Sequence, residues 1–350
     1  MKKEGNTRKK MNPVVAAVCT VVILFLAVVI AAVIFINGKL NKISYADTTA
    51  PTVNPESVVV QAEEELIQDT EERNVLEETE TNGRLPVGEA THRDNIVNIL
   101  FLGSDMRIAG TSDKGRADSV MLCSLNTDTG DIKLISFERA IGVPIPGHDD
   151  DWLTHSFSYG GAELTTDIIR ECFRLDIAGY VNVDFESFAD VIDAVGGVDL
   201  ELTATEAGAL NGNLGTGAWV KHPVSEGWNH MDGYDTLMYA RLRFIDSDWN
   251  RTARQRNVIQ AVINQTKNLN IFEINTLADT VLPLVKTDLS KSQIASLLVS
   301  ASKFLGATAE QYIVPTQEEG LDCYIGEGDR YLFYIDYNEW ADYIEKIIYE

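Results

Sequence analysis

The chain holds 350 residues, 45% of them hydrophobic, and carries a formal net charge of -24. Acidity on that scale excludes nucleic-acid binding by bulk charge. Beyond the first apolar run the cysteines are Cys123, Cys172 and Cys323, an odd and widely spaced set that is no disulfide framework; buried unpaired thiols are the favoured reading, with one bridge to Cys323 left open.

Residues 14–36 are 23 consecutive positions without a charge. At ~1.5 Å per residue such a helix spans a ~30 Å hydrocarbon core. Lys2, Lys3, Arg8, Lys9 and Lys10 precede it against the single acid Glu4. The positive-inside rule therefore predicts a cytoplasmic tail at 1–12, a membrane-spanning helix at 13–37, and everything after it outside the cell membrane. Cleavage at Ser44-Tyr45-Ala46 is the competing reading, disfavoured because the apolar run exceeds the ~7 to 15 residues of a signal-peptide core. Residues 38–95, with Glu63-Glu64-Glu65 and Glu77-Glu78-Thr79-Glu80 and almost no aromatic residue, read as a solvated acidic stalk. Residues 96–350 read as one large domain.

Within that domain the spacing predicts a buried strand at 96–102 and a hairpin of strands at 119–125 and 132–137 around Asn126-Thr127-Asp128-Thr129-Gly130-Asp131. A helix at 164–173, a strand at 180–183, a helix at 185–195 stopped by Gly196-Gly197, and a strand at 198–202 follow. Helical periodicity returns at 251–269, 271–285 and 290–305, before a strand at 312–314 and a helix at 339–349. Alternating strands and helices predict an α/β fold, a three-layer α/β/α sandwich with a central mixed sheet.

Five arginines fall in the block 241–256 of this acidic chain: Arg241, Arg243, Arg251, Arg254 and Arg256. If Arg241 and Arg243 lie on an extended segment, a period of two puts both guanidinium groups on one face; Arg251 and Gln255 share a face of the following helix. Such an array suits a multiply charged anion, because the planar guanidinium matches phosphate oxygens. The bland alternative is a surface salt-bridged to Asp246 and Asp248. Asp105 follows a buried strand in Gly103-Ser104-Asp105, and Asp118 opens the next strand in Arg116-Ala117-Asp118. Two aspartates at neighbouring strand ends can hold one hard cation, although singly such residues are more often turn or cap residues. The five histidines show no zinc-ligand spacing, and no Gly-x-Ser-x-Gly elbow occurs.

These segments resemble the LytR-CpsA-Psr (LCP) family, membrane-anchored enzymes that attach anionic glycopolymers to the bacterial cell wall. The resemblance runs through Gly103-Ser104-Asp105, Arg116-Ala117-Asp118, Ser136-Phe137-Glu138-Arg139, Val143-Pro144-Ile145-Pro146-Gly147, Tyr159-Gly160-Gly161, Val183-Asp184-Phe185, Ala194-Val195-Gly196-Gly197-Val198, Met231-Asp232-Gly233 and the arginine block. It implies that Asp105 and Asp118 are magnesium-side carboxylates and that Arg116, Arg139, Arg241, Arg243, Arg251 and Gln255 hold the pyrophosphate of a polyprenyl-linked glycopolymer donor. Asp105 and Arg139 are the implied catalytic pair, peptidoglycan the implied acceptor, and Asp105 the implied acceptor of the hydroxyl proton. The polyprenyl tail needs an apolar tunnel, expected between the sheet and the helices at 164–173 and 185–195. The family's usual Pro-Arg-Asp appears as Glu138-Arg139-Ala140, and its usual Lys-Ile-Asn as Trp152-Leu153-Thr154. Hydrolysis of a polyprenyl pyrophosphate, and silent binding by a wall or lipid-phosphate regulator, are the competing functions.

Overall fold

The computed structural model describes residues 44–45, 85–105, 115–213, 217–242, 245–267, 271–316, 322–326 and 330–350. Among them no helix is long and apolar enough to cross a membrane; the span expected at 13–37 lies outside them.

Thirteen strands and eight α-helices are described, in the chain order β1 (Ser44–Tyr45), β2 (Ile96–Ser104), β3 (Ala117–Asn126), β4 (Ile132–Phe137), β5 (Gly142–Val143), β6 (Asp151–Trp152), α1 (Ser156–Phe173), β7 (Gly179–Asp184), α2 (Phe185–Ala194), β8 (Val198–Leu202), α3 (Ala204–Leu210), β9 (Gly227–Met231), α4 (Gly233–Arg241), α5 (Asp248–Thr266), α6 (Ile271–Val281), β10 (Lys286–Thr287), α7 (Lys291–Ser300), β11 (Glu310–Val314), β12 (Asp322–Gly326), β13 (Arg330–Tyr334) and α8 (Tyr337–Tyr349). Seven strands build one sheet in the order β1-β10-β7-β2-β3-β4-β11. It is mixed: β3 is antiparallel to β2 and β4, while β7 runs parallel to β2 and β11 parallel to β4.

The period of two sorts the strand residues onto opposite faces. Leu100, Val120, Leu122, Ile135 and Phe137 enter one core with Ile169 and Phe173 of α1 and Trp340 and Ile344 of α8. Met121, Cys123, Ile132 and Leu134 face the other way, toward Ile259 and Ile263 of α5. With helices on both faces, the expected layered α/β architecture holds. Cys123 and Cys172 are buried and unpaired, and burial pushes the Cys123 thiol up to about 12.

Several elements depart from the sequence-based expectation. Helix α1 starts at Ser156, not at 164, and carries the kink at Gly161, whose φ of 72° a glycine tolerates. Strand β9, helix α4 and the hairpin β12–β13 lie outside the expected elements, whereas β8 forms at 198–202 as expected. Helix α4 also overturns the extended reading of Arg241, which is its last residue. The Met231-Asp232-Gly233 motif explains the helix. Asp232 caps it by accepting from the Asp235 N–H, and the Gly233 N–H donates to Asp193 Oδ1 at 2.7 Å. A Cβ on Gly233 would sit 2.0 Å from the Ala189 carbonyl oxygen, so only glycine lets α4 pack on α2. Arg243 lies outside the described residues.

Candidate functional site

Because β2, β3 and β4 alternate in direction, the end of β2, the start of β3 and the end of β4 meet at one end of the sheet's central strands. Asp105, Asp118 and Arg139 stand there. The backbone ties Asp105 down from both sides: its N–H donates to the Arg116 carbonyl at 3.0 Å, and the Arg116 N–H donates to Asp105 Oδ1 at 2.6 Å. Asp118 is the extra residue of a β-bulge, since Gly103 pairs with Ser119 and Ser104 with Ala117. A bulge re-aims the side chain it inserts. Asp118 Oδ1 accepts from Arg139 Nη2 at 2.9 Å.

The first turn of α5 completes the cluster. Ser247 caps that helix, so Asp248 sits at its N-terminal end, where a carboxylate is favoured. Asp248 pairs with Arg139 at 3.5 Å and with Arg251 at 3.4 Å. Arg251 is only 4% exposed, and its Nε and Nη2 have no hydrogen-bond partner among the described residues; the buried Arg139 Nε is in the same condition. Burial, and then the neighbouring Arg139 cation, hold the Arg251 pKa below its ordinary value. Asp118 and Asp248 offset part of the charge of these two adjacent buried guanidinium groups, but donors left without a hydrogen bond remain costly unless a further anion meets them.

Asp105, Arg116, Asp118, Arg139, Arg241, Arg251 and Gln255 all line one cavity of about 890 Å³. The structure thus brings together every expected site residue except Arg243. Arg251 and Gln255 share a helix face as anticipated. Arg241 reaches the cavity from the end of α4, with its guanidinium carbon 4.4 Å from the centroid of the Phe185 ring, a cation–π contact. The rest of the lining is apolar and runs away from this charged end along alternate strand residues, through Met121, Cys123 and Leu125 of β3 to Ile132 and Leu134 of β4. From Asp118 to Leu125 that path is roughly 24 Å long at the rise of an antiparallel strand.

The expected tunnel location needs one correction. Helix α2 lines the cavity through Phe185, Phe188 and Val191, but the segment 164–173 does not. Ile168, Ile169 and Phe173 pack into the core on the opposite face of the sheet. The second helical wall is α5, through Val258, Ile259, Val262 and Ile263.

The arginine block divides between two tasks. Arg254 is structural: its Nε donates to Glu206 Oε1 at 2.7 Å, its Nη1 to the Leu242 carbonyl at 2.7 Å, and its Nη2 to Asp246. Arg256 is buried away from the cavity against Gln311 of β11, and burial lowers its pKa to about 10. Both ion pairs of the salt-bridge alternative form, Arg254 with Asp246 and Arg251 with Asp248, but on buried arginines and not on a solvated surface.

Sequence reasoning missed Asp248 as the carboxylate shared by Arg139 and Arg251; its place just after a serine cap at the arginine block was the available signal. It also left Glu138 without a role. Glu138 is 1% exposed, and its Oε2 has no partner among the described residues. Burial, and then the nearby Asp248 carboxylate, push its carboxyl up to about 7 from an ordinary 4.5, against the opposing pull of Arg251 and Arg139. Between those values the folded protein binds more protons than the unfolded chain, so stability declines as pH rises through that window. Glu138→Gln should flatten this part of the stability profile, an effect on the order of 3 kcal/mol. Urea unfolding at about pH 4 and about pH 8 reads it, and an unchanged difference between the two would refute the raised carboxyl.

The chain belongs to the LytR_cpsA_psr family, whose model matches residues 54–336. The polyisoprenyl-teichoic acid–peptidoglycan teichoic acid transferase TagU of Oceanobacillus iheyensis is 31% identical over 243 residues, covering 67% of this chain and 72% of the relative. TagU of Bacillus cereus is 32% identical over 215 residues, and the match spans 59% of this chain and 65% of that protein. Among solved structures, TagT bound to LIIa-WTA matches with a TM-score of 0.58 and 25% identity, covering 76% of this chain and 96% of TagT. The LytR-CPS2A-psr family protein YwtF (TagT) with bound octaprenyl pyrophosphate lipid has the same fold, at a TM-score of 0.54 and 22% identity, over 76% of this chain and 96% of that one.

Proposed function

We propose that this protein is a membrane-anchored, extracytoplasmic transferase that moves an anionic glycopolymer from a polyprenyl-pyrophosphate-linked donor to a peptidoglycan hydroxyl, releasing polyprenyl phosphate. The observation that carries the proposal is one cavity with buried arginine donors that make no hydrogen bond at one end and a long apolar lining behind them. A pyrophosphate answers the donors and a polyprenyl chain answers the lining. The TagU relatives are named for transfer of teichoic acid to peptidoglycan.

In this reading Arg139 and Arg251 stabilise the charge that develops on the phosphate oxygens, while Arg241 and Gln255 orient the pyrophosphate. The acceptor oxygen bonds to the phosphorus carrying the glycopolymer, and the bridging P–O bond breaks. Polyprenyl phosphate leaves with the electron pair, and the hydroxyl proton passes to Asp105. Asp105 and Asp118 supply hard carboxylate oxygens of the kind magnesium takes beside water and phosphate, and would hold that ion. When bound, it neutralises charge on the phosphates. Asp118→Asn keeps an oxygen for Arg139, so the thermal transition should move little while magnesium-dependent pyrophosphate binding falls about tenfold or more. Titration with and without magnesium checks this, and unaltered metal dependence would remove Asp118 from the ion.

Ala140, the position where the family's usual acid is absent, is not among the cavity-lining residues. A radiolabelled lipid-pyrophosphate saccharide incubated with magnesium and wall oligomers tests the function. Label should enter the oligomer, and Ala140→Asp should only change the rate. Free labelled phosphosaccharide would mean hydrolysis, and intact donor with activity solely in Ala140→Asp would mean a silent binder.

A further inference from the structure

A second recess, of about 420 Å³, lies between the β8–β9 ribbon and the C-terminal half of α5, bounded by Asp199, Trp228, Ala261, Asn264 and Gln265. None of these residues lines the large cavity. Asn264 follows Arg251 by thirteen positions on one helix, which at 1.5 Å per residue places it ~20 Å away along the axis.

The ribbon presents the recess with a fixed geometry. Alternate residues Val198, Leu200 and Leu202 of β8 are buried, which leaves Asp199 and Glu201 on the outer face. Asp199 pairs with His230 and Glu201 with Trp228 across the ribbon. Asp199 Oδ1 is held by His230 Nδ1 at 2.8 Å, and His230 Nε2 lies 3.0 Å from the Gly196 carbonyl. The turn leading into Trp228 is braced by Asn229, whose Nδ2 donates to the Ser225 and Gly227 carbonyls and whose Oδ1 accepts from the Ser225 N–H. Gly227 supplies the φ of 93° that this turn requires. On this braced support Trp228 is 69% exposed. Holding so large an apolar ring in water at a concave site is the mark of a ligand platform.

Asp199, Asn264 and Gln265 contribute a carboxylate and two amides, groups that exchange hydrogen bonds with hydroxyl and acetamido groups. Gln260 Nε2 donates to Asn264 Oδ1 at 2.9 Å, which leaves the Asn264 NH₂ for another acceptor. The residues bounding the recess include one acid and no lysine or arginine, and Glu201 stands beside Trp228. A phosphate-bearing polymer therefore meets none of the guanidinium donors here that Arg139 and Arg251 offer in the large cavity. We propose that the recess binds an uncharged, N-acetylated glycan strand, with one sugar face stacked on Trp228 and its polar groups bonded by Asp199, Asn264 and Gln265. The site adds to the transfer reading without resting on it, because its occupancy needs neither donor nor turnover.

The test titrates the full chain in detergent with a chitin tetrasaccharide and, separately, with poly(glycerol phosphate), following heat and tryptophan fluorescence. The tetrasaccharide should bind and the polyanion should not. Trp228→Ala should weaken saccharide binding about tenfold or more, and Trp228→Phe, which keeps an aromatic face, should restore most of it. Both variants should retain wild-type affinity for a polyprenyl pyrophosphate, which reports an intact fold and a separate cavity. Absence of saccharide binding, equal affinity in Trp228→Ala, or preference for the polyanion would overturn the proposal. So would a Trp228→Ala effect confined to liposome partition or self-association, since the indole would then be a membrane or protein contact.

Discussion

Arg251→Ala should weaken binding of a polyprenyl pyrophosphate by about 10- to 150-fold while leaving the folded state as stable as before. The affinity loss corresponds to ~1.5 to 3 kcal/mol, the worth of a charge-assisted hydrogen bond. Stability behaves differently because the side chain is buried with Nε and Nη2 making no hydrogen bond among the described residues, with only a 3.4 Å ion pair to the part-exposed Asp248, and with a second cation, Arg139, beside it. Removing such a group relieves desolvation and repulsion as well as deleting packing, so the unfolding free energy should move by no more than ~1 kcal/mol. Arg256→Ala is the matched control: it deletes an arginine from the same helix, but one that faces Gln311 and not the cavity, and it should leave lipid affinity unchanged. Equal losses in both variants would mean that the arginine block acts as a diffuse positive field.

Arg254→Ala should have the opposite profile, with a loss of ~3 to 5 kcal/mol in stability and lipid affinity preserved in the molecules that remain folded. The guanidinium is 3% exposed and joins α5 to Glu206 of α3, to the Leu242 carbonyl just past α4, and to Asp246. Truncation strands a buried carboxylate and a backbone acceptor together. Since α4 delivers Arg241 and α5 delivers Arg251 and Gln255, this node fixes the separation of the two helices that present the proposed pyrophosphate ligands to the cavity. Urea titration monitored by circular dichroism gives the magnitude. A loss below ~1 kcal/mol would show that solvent replaces those contacts and that Arg254 is a surface residue in effect.

The contrast between these two arginines shows where sequence reasoning stops. Strands β2, β3 and β4 were legible because their apolar runs end at turn residues, and Asp105 and Asp118 were legible because they punctuate those runs, whereas Arg139 came only from the family resemblance. The helical face of Arg251 and Gln255 followed from their spacing of four. Arg241 was misread because a two-residue spacing imitates a strand, whereas the capping Asp232 and the contact of Gly233 with Ala189 continue a helix through it. The apolar cavity lies beside only one of the two helices expected at the tunnel, for a related reason. Strands covered on both faces are apolar at even and odd positions alike, so a run such as Val120-Met121-Leu122-Cys123 cannot disclose which face packs on α1 and which lines a cavity. Asp248 and Glu138 depended on tertiary proximity: their roles arise only where the start of α5 meets the end of β4.

The measurement that tests the account most directly is photocrosslinking of the full chain with a polyprenyl pyrophosphate carrying a diazirine near the tail end, followed by peptide mass spectrometry. The crosslinks should fall on the apolar lining, at Met121 to Leu125 of β3, Phe188 to Ile192 of α2 and Val258 to Ile263 of α5, and inorganic pyrophosphate in excess should reduce them by competing at Arg139 and Arg251. Crosslinks concentrated on residues 164–173 of α1, or labelling spread over the surface and indifferent to pyrophosphate, would contradict a cavity that holds the lipid tail behind an arginine-bound headgroup.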